Sequence, residues 1–307
     1  MVTERLPAKI SEKSEEKKIA PASPIGIFDS GVGGLTVLAE IMRQLPNEDV
    51  IYIADSARVP YGGRPPEEII KINQELIPYL IDQGVKLIIM ACGTSSSIAY
   101  PVLKDKYKVH IIGLIEPGVR AALSATRSGT IGVIATAGTI HSQAYQKTLQ
   151  SMKKTGLPAG REIKIAAEAC PLFVPLIEGG FIETEETRKV AKEYLKPLLK
   201  EEIDTLILGC THYPHLVKVL NALTGGKVVL VDPAEEAVAE AKGLLQKAGT
   251  MKGKTFPPRY EYLVTGSVAQ FQDVGSRLLG KLITHARQAR LPTPERSDGG
   301  QVHLPLK

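Results

Sequence analysis

Two cysteines stand where an apolar run gives way to small polar residues. Lys86-Leu-Ile-Ile-Met-Ala leads into Cys92, which Gly93-Thr94-Ser95-Ser96 follows. Thr205-Leu-Ile-Leu-Gly leads into Cys210, which Thr211-His212 follows. A thiol can take up and return a proton at accessible pH, because its reference pKa is about 8.5. The pattern predicts a helix start after each thiol, an environment that lowers a cysteine pKa. His212, two residues past Cys210, is a candidate acid–base partner, with a capping or packing histidine as the bland alternative. Glu178 is a candidate loop carboxylate at the end of an apolar stretch, with a solvated surface charge as its alternative. Cysteine is also among the most buried residue types, so inert packing competes for each strand cysteine. Cys170, ahead of Pro171-Leu-Phe, fits inert packing best.

The elements that must position these groups alternate strand and helix. The runs before Cys92 and Cys210 lack polar alternation, as expected of parallel strands buried on both faces. In such sheets ligands bind at the carboxyl ends of strands. Strands are expected at 24–28, 50–54, 110–114, 130–135, 162–166, 227–231 and 260–264 besides the two cysteine runs. Helices are expected after the Asp29-Ser-Gly-Val-Gly-Gly34 turn, from Pro65 to about Gln83 with a disturbance at Pro78, around 142–153 and over 185–201. The Asp29–Gly34 turn can bring backbone amides close to an anion. It is not a dinucleotide fingerprint, because Thr36 stands where the last glycine belongs. Glu116-Pro-Gly118 reads as a crossing between domains. The expected architecture is α/β, with two doubly wound domains, mainly parallel sheets and a site between them. The first domain covers 24–117 and is completed by 235–288; the second covers 118–234. A disordered leader, 1–23, and a loose tail, 289–307, complete the chain.

Composition narrows the function. The chain has 307 residues, 43% of them apolar, and no run long enough to span a membrane, which takes about 20 apolar residues. Three cysteines fit neither a disulfide framework nor a zinc site, so reduced thiols in the cytoplasm are expected. No signal peptide is expected in the charged first 20 residues. The net charge of +5 comes without an aromatic-interleaved basic stripe, which argues against nucleic acid as a partner. No sequence feature marks a pyridoxal lysine.

Five segments in order resemble glutamate racemase: Asp29-Ser-Gly-Val-Gly-Gly-Leu35, Asp55-Ser-Ala-Arg-Val-Pro-Tyr-Gly62, Ala91-Cys-Gly-Thr94, Cys170-Pro-Leu-Phe-Val-Pro-Leu176 and Gly209-Cys-Thr-His-Tyr-Pro214. The resemblance spans about 24–285. It implies a cytoplasmic, cofactor-independent and metal-free enzyme, commonly a homodimer, that makes D-glutamate for peptidoglycan. It implies that Cys92 and Cys210 are the two bases, with Asp29 beside Cys92, and His212 with Glu178 beside Cys210. It implies that Asp29, Ser30, Tyr61, Gly62, Gly93, Thr94, Thr211 and His212 contact the substrate. One position departs from the family pattern. Gly93 stands where the family usually has Asn, so a side-chain amide is lost and restoring it is expected to lower KM.

Other readings fit the same residues. One is racemisation of aspartate or another acidic amino acid. A second is a catalytically impaired ligand-binding relative, favoured only by Gly93. A third is a thiol-redox protein, which here lacks Cys-x-x-Cys.

Overall fold

A computed structural model describes residues 20–155, 162–254 and 256–291. Most of the expected leader and tail lie outside the described residues. Buried apolar runs become strands, and amphipathic segments become the helices that cover them. The first part of the chain runs β1 (Ile25–Asp29), α1 (Leu35–Gln44), β2 (Val50–Ala54), α2 (Pro66–Asp82), β3 (Leu87–Met90), α3 (Gly93–Ile98), α4 (Tyr100–Leu103) and β4 (His110–Ile112). It continues through α5 (Ile115–Ala125), β5 (Thr130–Ala135), α6 (Ala137–Ser142), α7 (Ala144–Thr155), β6 (Lys164–Ala169), α8 (Phe173–Glu178), α9 (Glu185–Lys200) and β7 (Thr205–Leu208). A 3-10 turn at Tyr213–Leu216 precedes α10 (Val217–Thr224), β8 (Val229–Val231), α11 (Pro233–Lys247), β9 (Tyr260–Val264), α12 (Val268–Leu279) and β10 (Ala286–Gln288).

The strands form two parallel sheets, ordered β10-β9-β2-β1-β3-β4 and β6-β5-β7-β8. Both contain the same arrangement, in which the first strand of the set lies between the second and the third. A doubly wound sheet reverses direction at that point, and the crevice there is where ligands bind. Cys92 follows β3 and Cys210 follows β7, so each thiol sits at the same topological place in its sheet. One apolar core joins the sheets: Ile25, Leu38 and Ile41 share a buried cluster with Ala237, Leu206 and Leu208.

Several expectations change. Glu116-Pro-Gly118 is the first turn of α5, the helix that leads from β4 of one sheet to β5 of the other. A proline there is tolerated because first-turn amides have no intrahelical acceptor. Helix α2 runs unbroken past Pro78, with Leu76, Ile77 and Leu80 anchored in the core around it. The helix expected around 142–153 is α7, and a further short helix, α6, precedes it, separated by Gln143, whose φ of 54° is left-handed. Glu178 ends α8 instead of lying in a loop. The short edge strand β10 carries no apolar alternation; its pairing with β9 defines it.

Far from both thiols, Lys86 and Glu48 form a buried ion pair of 2.5 Å. Lys86 Nζ also donates to the carbonyls of Pro21 (2.9 Å) and Thr250 (2.8 Å), and Glu48 Oε1 accepts from the Lys252 amide (2.8 Å). Removing one member of such a pair leaves an uncompensated buried charge. Lys86→Ala is expected to cost about 3–5 kcal/mol in denaturant unfolding while the rate per folded molecule is unchanged. An unshifted unfolding midpoint would contradict this account.

Candidate active site

The site forms where three strand ends meet. At the end of β1, Asp29 is buried, and its Oδ1 accepts the Gly31 amide at 2.7 Å. Tyr52 holds the other side of this turn, its hydroxyl donating to the Gly31 carbonyl at 2.8 Å. Gly33 is required by close approach: a Cβ there would lie 2.4 Å from His212 Nδ1 and 2.5 Å from Thr211 Oγ1. The β1 turn and the Cys210 turn are therefore packed against each other. Thr211 Oγ1 donates to Asp29 Oδ2 at 3.4 Å, and Thr36 Oγ1 donates to the Thr211 carbonyl at 3.0 Å.

Cys92 caps the start of α3, its carbonyl accepting the Ser96 amide at 2.8 Å. The buried hydroxyls after it find partners. Ser96 Oγ donates to the Met90 carbonyl (2.7 Å), and Ser95 Oγ accepts from Asn73 Nδ2 (3.1 Å). Thr94 and Thr136 share a hydroxyl contact of 3.0 Å, which ties α3 to the end of β5. The Gly138 amide donates to the Gly62 carbonyl at 2.8 Å, a second tie between the two sheets' loops. Tyr61 donates its hydroxyl to Asp55 Oδ2, at 2.5 Å.

Between these turns lies a cavity of about 320 Å³, within the size range of small-ligand sites. It is lined by both thiols, by Asp29, Ser30, Tyr61, Gly62, Gly93 and Thr94 from one side, and by Thr211 and His212 from the other. Glu178 stands behind His212, outside this lining. Thr136, Val174 and the Cys170-Pro171 wall are additional lining groups. A lone Thr after a strand is a common helix cap, so Thr136 gave no signal in the sequence; its equivalence to Ser30, one sheet to the other, emerges only from the strand order and register. Cys170 keeps to packing: its Sγ lies 3.7 Å from the Glu168 carbonyl, and burial pushes this thiol up. A larger groove of about 570 Å³, lined by Arg43, Asp232 and Glu235 among others, contains neither thiol.

The two thiols have different surroundings. Cys92 Sγ lies 3.8 Å from Ser30 Oγ. Burial pushes its pKa up to about 12, and the Asp29 charge adds to that; the Ser95 amide opposes without winning. The expected lowering by a helix start is thus overturned, because α3 has only six residues and the thiol is desolvated. No α-helix starts directly after Cys210 either; the 3-10 turn does. Cys210 instead has His212, with Sγ to Nδ1 at 3.8 Å, and His212 Nε2 meets Glu178 Oε1 at 2.9 Å. Burial alone would pull His212 down. The hydrogen bonds to Cys210 and Glu178, with the Asp29 charge, overcome this and bring it to about 10. His212 is an imidazolium at neutral pH, placed between a sulfur and a carboxylate. Burial raises Asp29, against the His212 charge and the Gly31 and Gly34 amides.

The sequence model of the Asp/Glu/hydantoin racemases matches residues 25–241. The chain belongs to that family. It is 41% identical over 271 residues to a glutamate racemase of Geobacter metallireducens, covering 88% of this chain and 98% of the relative. A glutamate racemase isoform of Bacillus anthracis has the same fold, with a TM-score of 0.82, 38% identity and coverage of 88% and 98% of the two chains. A Francisella tularensis glutamate racemase, solved with D-glutamate, gives 0.79, 38%, 88% and 98%. The protein is an amino-acid racemase with two parallel sheets. Among the described residues, no helix is long and apolar enough to cross a membrane, and no cluster of three His, Cys, Asp or Glu side chains could hold a metal ion.

In this racemase the expected benefit of an amide at position 93 conflicts with the packing. A Cβ on Gly93 would lie 2.5 Å from the Gly209 carbonyl oxygen. The residue after one thiol thus touches the residue before the other, backbone to backbone. Gly93→Asn is expected to lower kcat/KM about tenfold or more by parting the two turns. A lower KM in steady-state assays would show instead that the turns yield and the added amide binds substrate.

Proposed function

We propose that this racemase interconverts L- and D-glutamate without a cofactor, using Cys92 and Cys210 as bases on opposite faces of the α-carbon. The observation that carries the reading is the entry of two thiols, from topologically equivalent strand ends, into one small cavity. The α-proton of an amino acid is very weakly acidic. One sulfur, as thiolate, takes it; the other, as thiol, returns a proton to the opposite face, and the roles exchange with the enantiomer. Cys92 is held as a thiol by burial and Asp29, while the His212 imidazolium favours negative charge on the Cys210 side. Amides of the β1 turn and the α3 start supply donors for the substrate carboxylates, with Ser30, Thr94 and Thr211 beside them. The two ties between the sheets, at Thr94–Thr136 and Gly62–Gly138, help exclude water.

Following the family resemblance, the wider role is a cytoplasmic homodimer that supplies D-glutamate for peptidoglycan. Its two domains divide near residue 117, and the chain returns to the first near residue 235. The deciding experiment is turnover in deuterium oxide. Early in the reaction the product enantiomer should carry solvent deuterium at the α-position, while unreacted substrate of either hand keeps its hydrogen. Product that retains the original α-hydrogen would overturn the two-base reading, and turnover of aspartate in preference to glutamate would overturn the substrate assignment.

A further inference from the structure

Helix α8 ends at the carboxylate that holds His212, and its end is fastened from outside its own sheet. The carbonyls of Pro175, Leu176 and Ile177 accept the amides of Gly179, Phe181 and Gly180. The next carbonyl, that of Glu178, accepts instead from Arg277 Nη2. Arg277 stands on α12, which packs on α1 and β10 beside the six-stranded sheet. Helix α8 packs on α9 and the 3-10 turn beside the four-stranded sheet. A guanidinium at a helix C-terminus also meets the negative end of the helix dipole, although α8 is short. Gly180, with φ 83°, turns the chain sharply at this point, and a Cβ there would be 3.7 Å from the guanidinium.

A continuous series of contacts results: Arg277 to the Glu178 backbone, Glu178 Oε1 to His212 Nε2 at 2.9 Å, and His212 Nδ1 to Cys210 Sγ at 3.8 Å. We propose that Arg277 is a positioning residue that latches α12 to the end of α8, holding Glu178 against His212 and so tuning proton transfer at Cys210 alone. The proposal rests on the two-base reading. It makes the Cys210 half of the reaction depend on docking of the two sheets, while Cys92, on the other strand end, has no share in the series.

The test compares wild type, Arg277→Ala and Arg277→Lys with α-deuterated L- and D-glutamate in ordinary water. The two enantiomers are equal in energy, so kcat/KM must fall by the same factor in both directions; a loss of about tenfold to a hundredfold is expected for a shift of the supporting shell. The isotope effects need not move together. When proton transfer at Cys210 slows, the effect on kcat/KM should grow for the enantiomer that Cys210 deprotonates and shrink for its mirror image. Lysine, which can still donate to the Glu178 carbonyl, should recover most of the loss, and the unfolding temperature should match wild type for both variants. A wild-type rate in Arg277→Ala would overturn the latch, as would a uniform fall with both isotope effects unchanged. Failure of the two-base reading itself would be separate: Cys210→Ala would then racemise in the same assay.

Discussion

Cys92→Ala and Cys210→Ala should each reduce racemisation of glutamate by more than about a thousandfold, the scale on which a positioned acid or base contributes to proton transfer. The size follows from stereochemistry. A proton must leave one face and another must arrive on the opposite face, and the cavity presents one thiol from the β3 end and one from the β7 end. Water is a poor replacement for the lost sulfur, because buried turns close the site on both sides and Cys92 and Cys210 are each under a tenth exposed. The variants should differ in what they retain. With Cys92 removed, Cys210 can still take the α-proton of the enantiomer that faces it, so slow exchange of that hydrogen with solvent should persist without inversion. The mirror result is expected for Cys210→Ala. Chirality by circular dichroism and exchange by proton NMR, run on the same samples, separate the two. Normal inversion by either variant would remove the two-base reading, and unfolding temperatures near wild type would exclude global damage as the cause of a loss.

The sheet strands and both cysteine positions were legible because buried parallel strands are written as unbroken apolar runs, and the run before each thiol stops abruptly at small polar residues. What escaped the sequence was set by contacts between distant segments. A helix start after a thiol predicts a lowered pKa, yet desolvation at Cys92 outweighs a six-residue helix, and Cys210 has His212 as its electrostatic partner. Glu178 had the look of a loop charge because its function depends on a ring 34 positions later in the chain. Gly93 read as a missing amide; the Gly209 carbonyl beside it, which leaves no room for a side chain, belongs to the other sheet. Arg277 had no signal at all, since one arginine on an amphipathic helix is ordinary until its acceptor is known.

His212→Asn should lower kcat/KM by about a hundredfold to ten-thousandfold and also remove a feature of the pH profile. The sign follows from the direction of the shift. The fold raises His212 from 6.5 to about 10, so the imidazolium is the form the folded site favours. Its contribution to stability is complete below pH 6.5 and is lost as pH rises through about 10. Activity should follow the same charge on its basic side. Above about pH 10 the ring becomes neutral, and the positive charge 3.8 Å from the Cys210 sulfur is lost. Cys92, at about 12, ionises later than that. Glu178→Gln replaces the carboxylate that accepts the His212 hydrogen bond, one of the causes that raise His212, with a weaker amide acceptor, and should move the decline in activity to lower pH with a smaller loss of rate. The Asn variant, having no ring to titrate, should show no decline there. If the limb near pH 10 survived in His212→Asn, or stayed in place in Glu178→Gln, that ionisation would belong to another group.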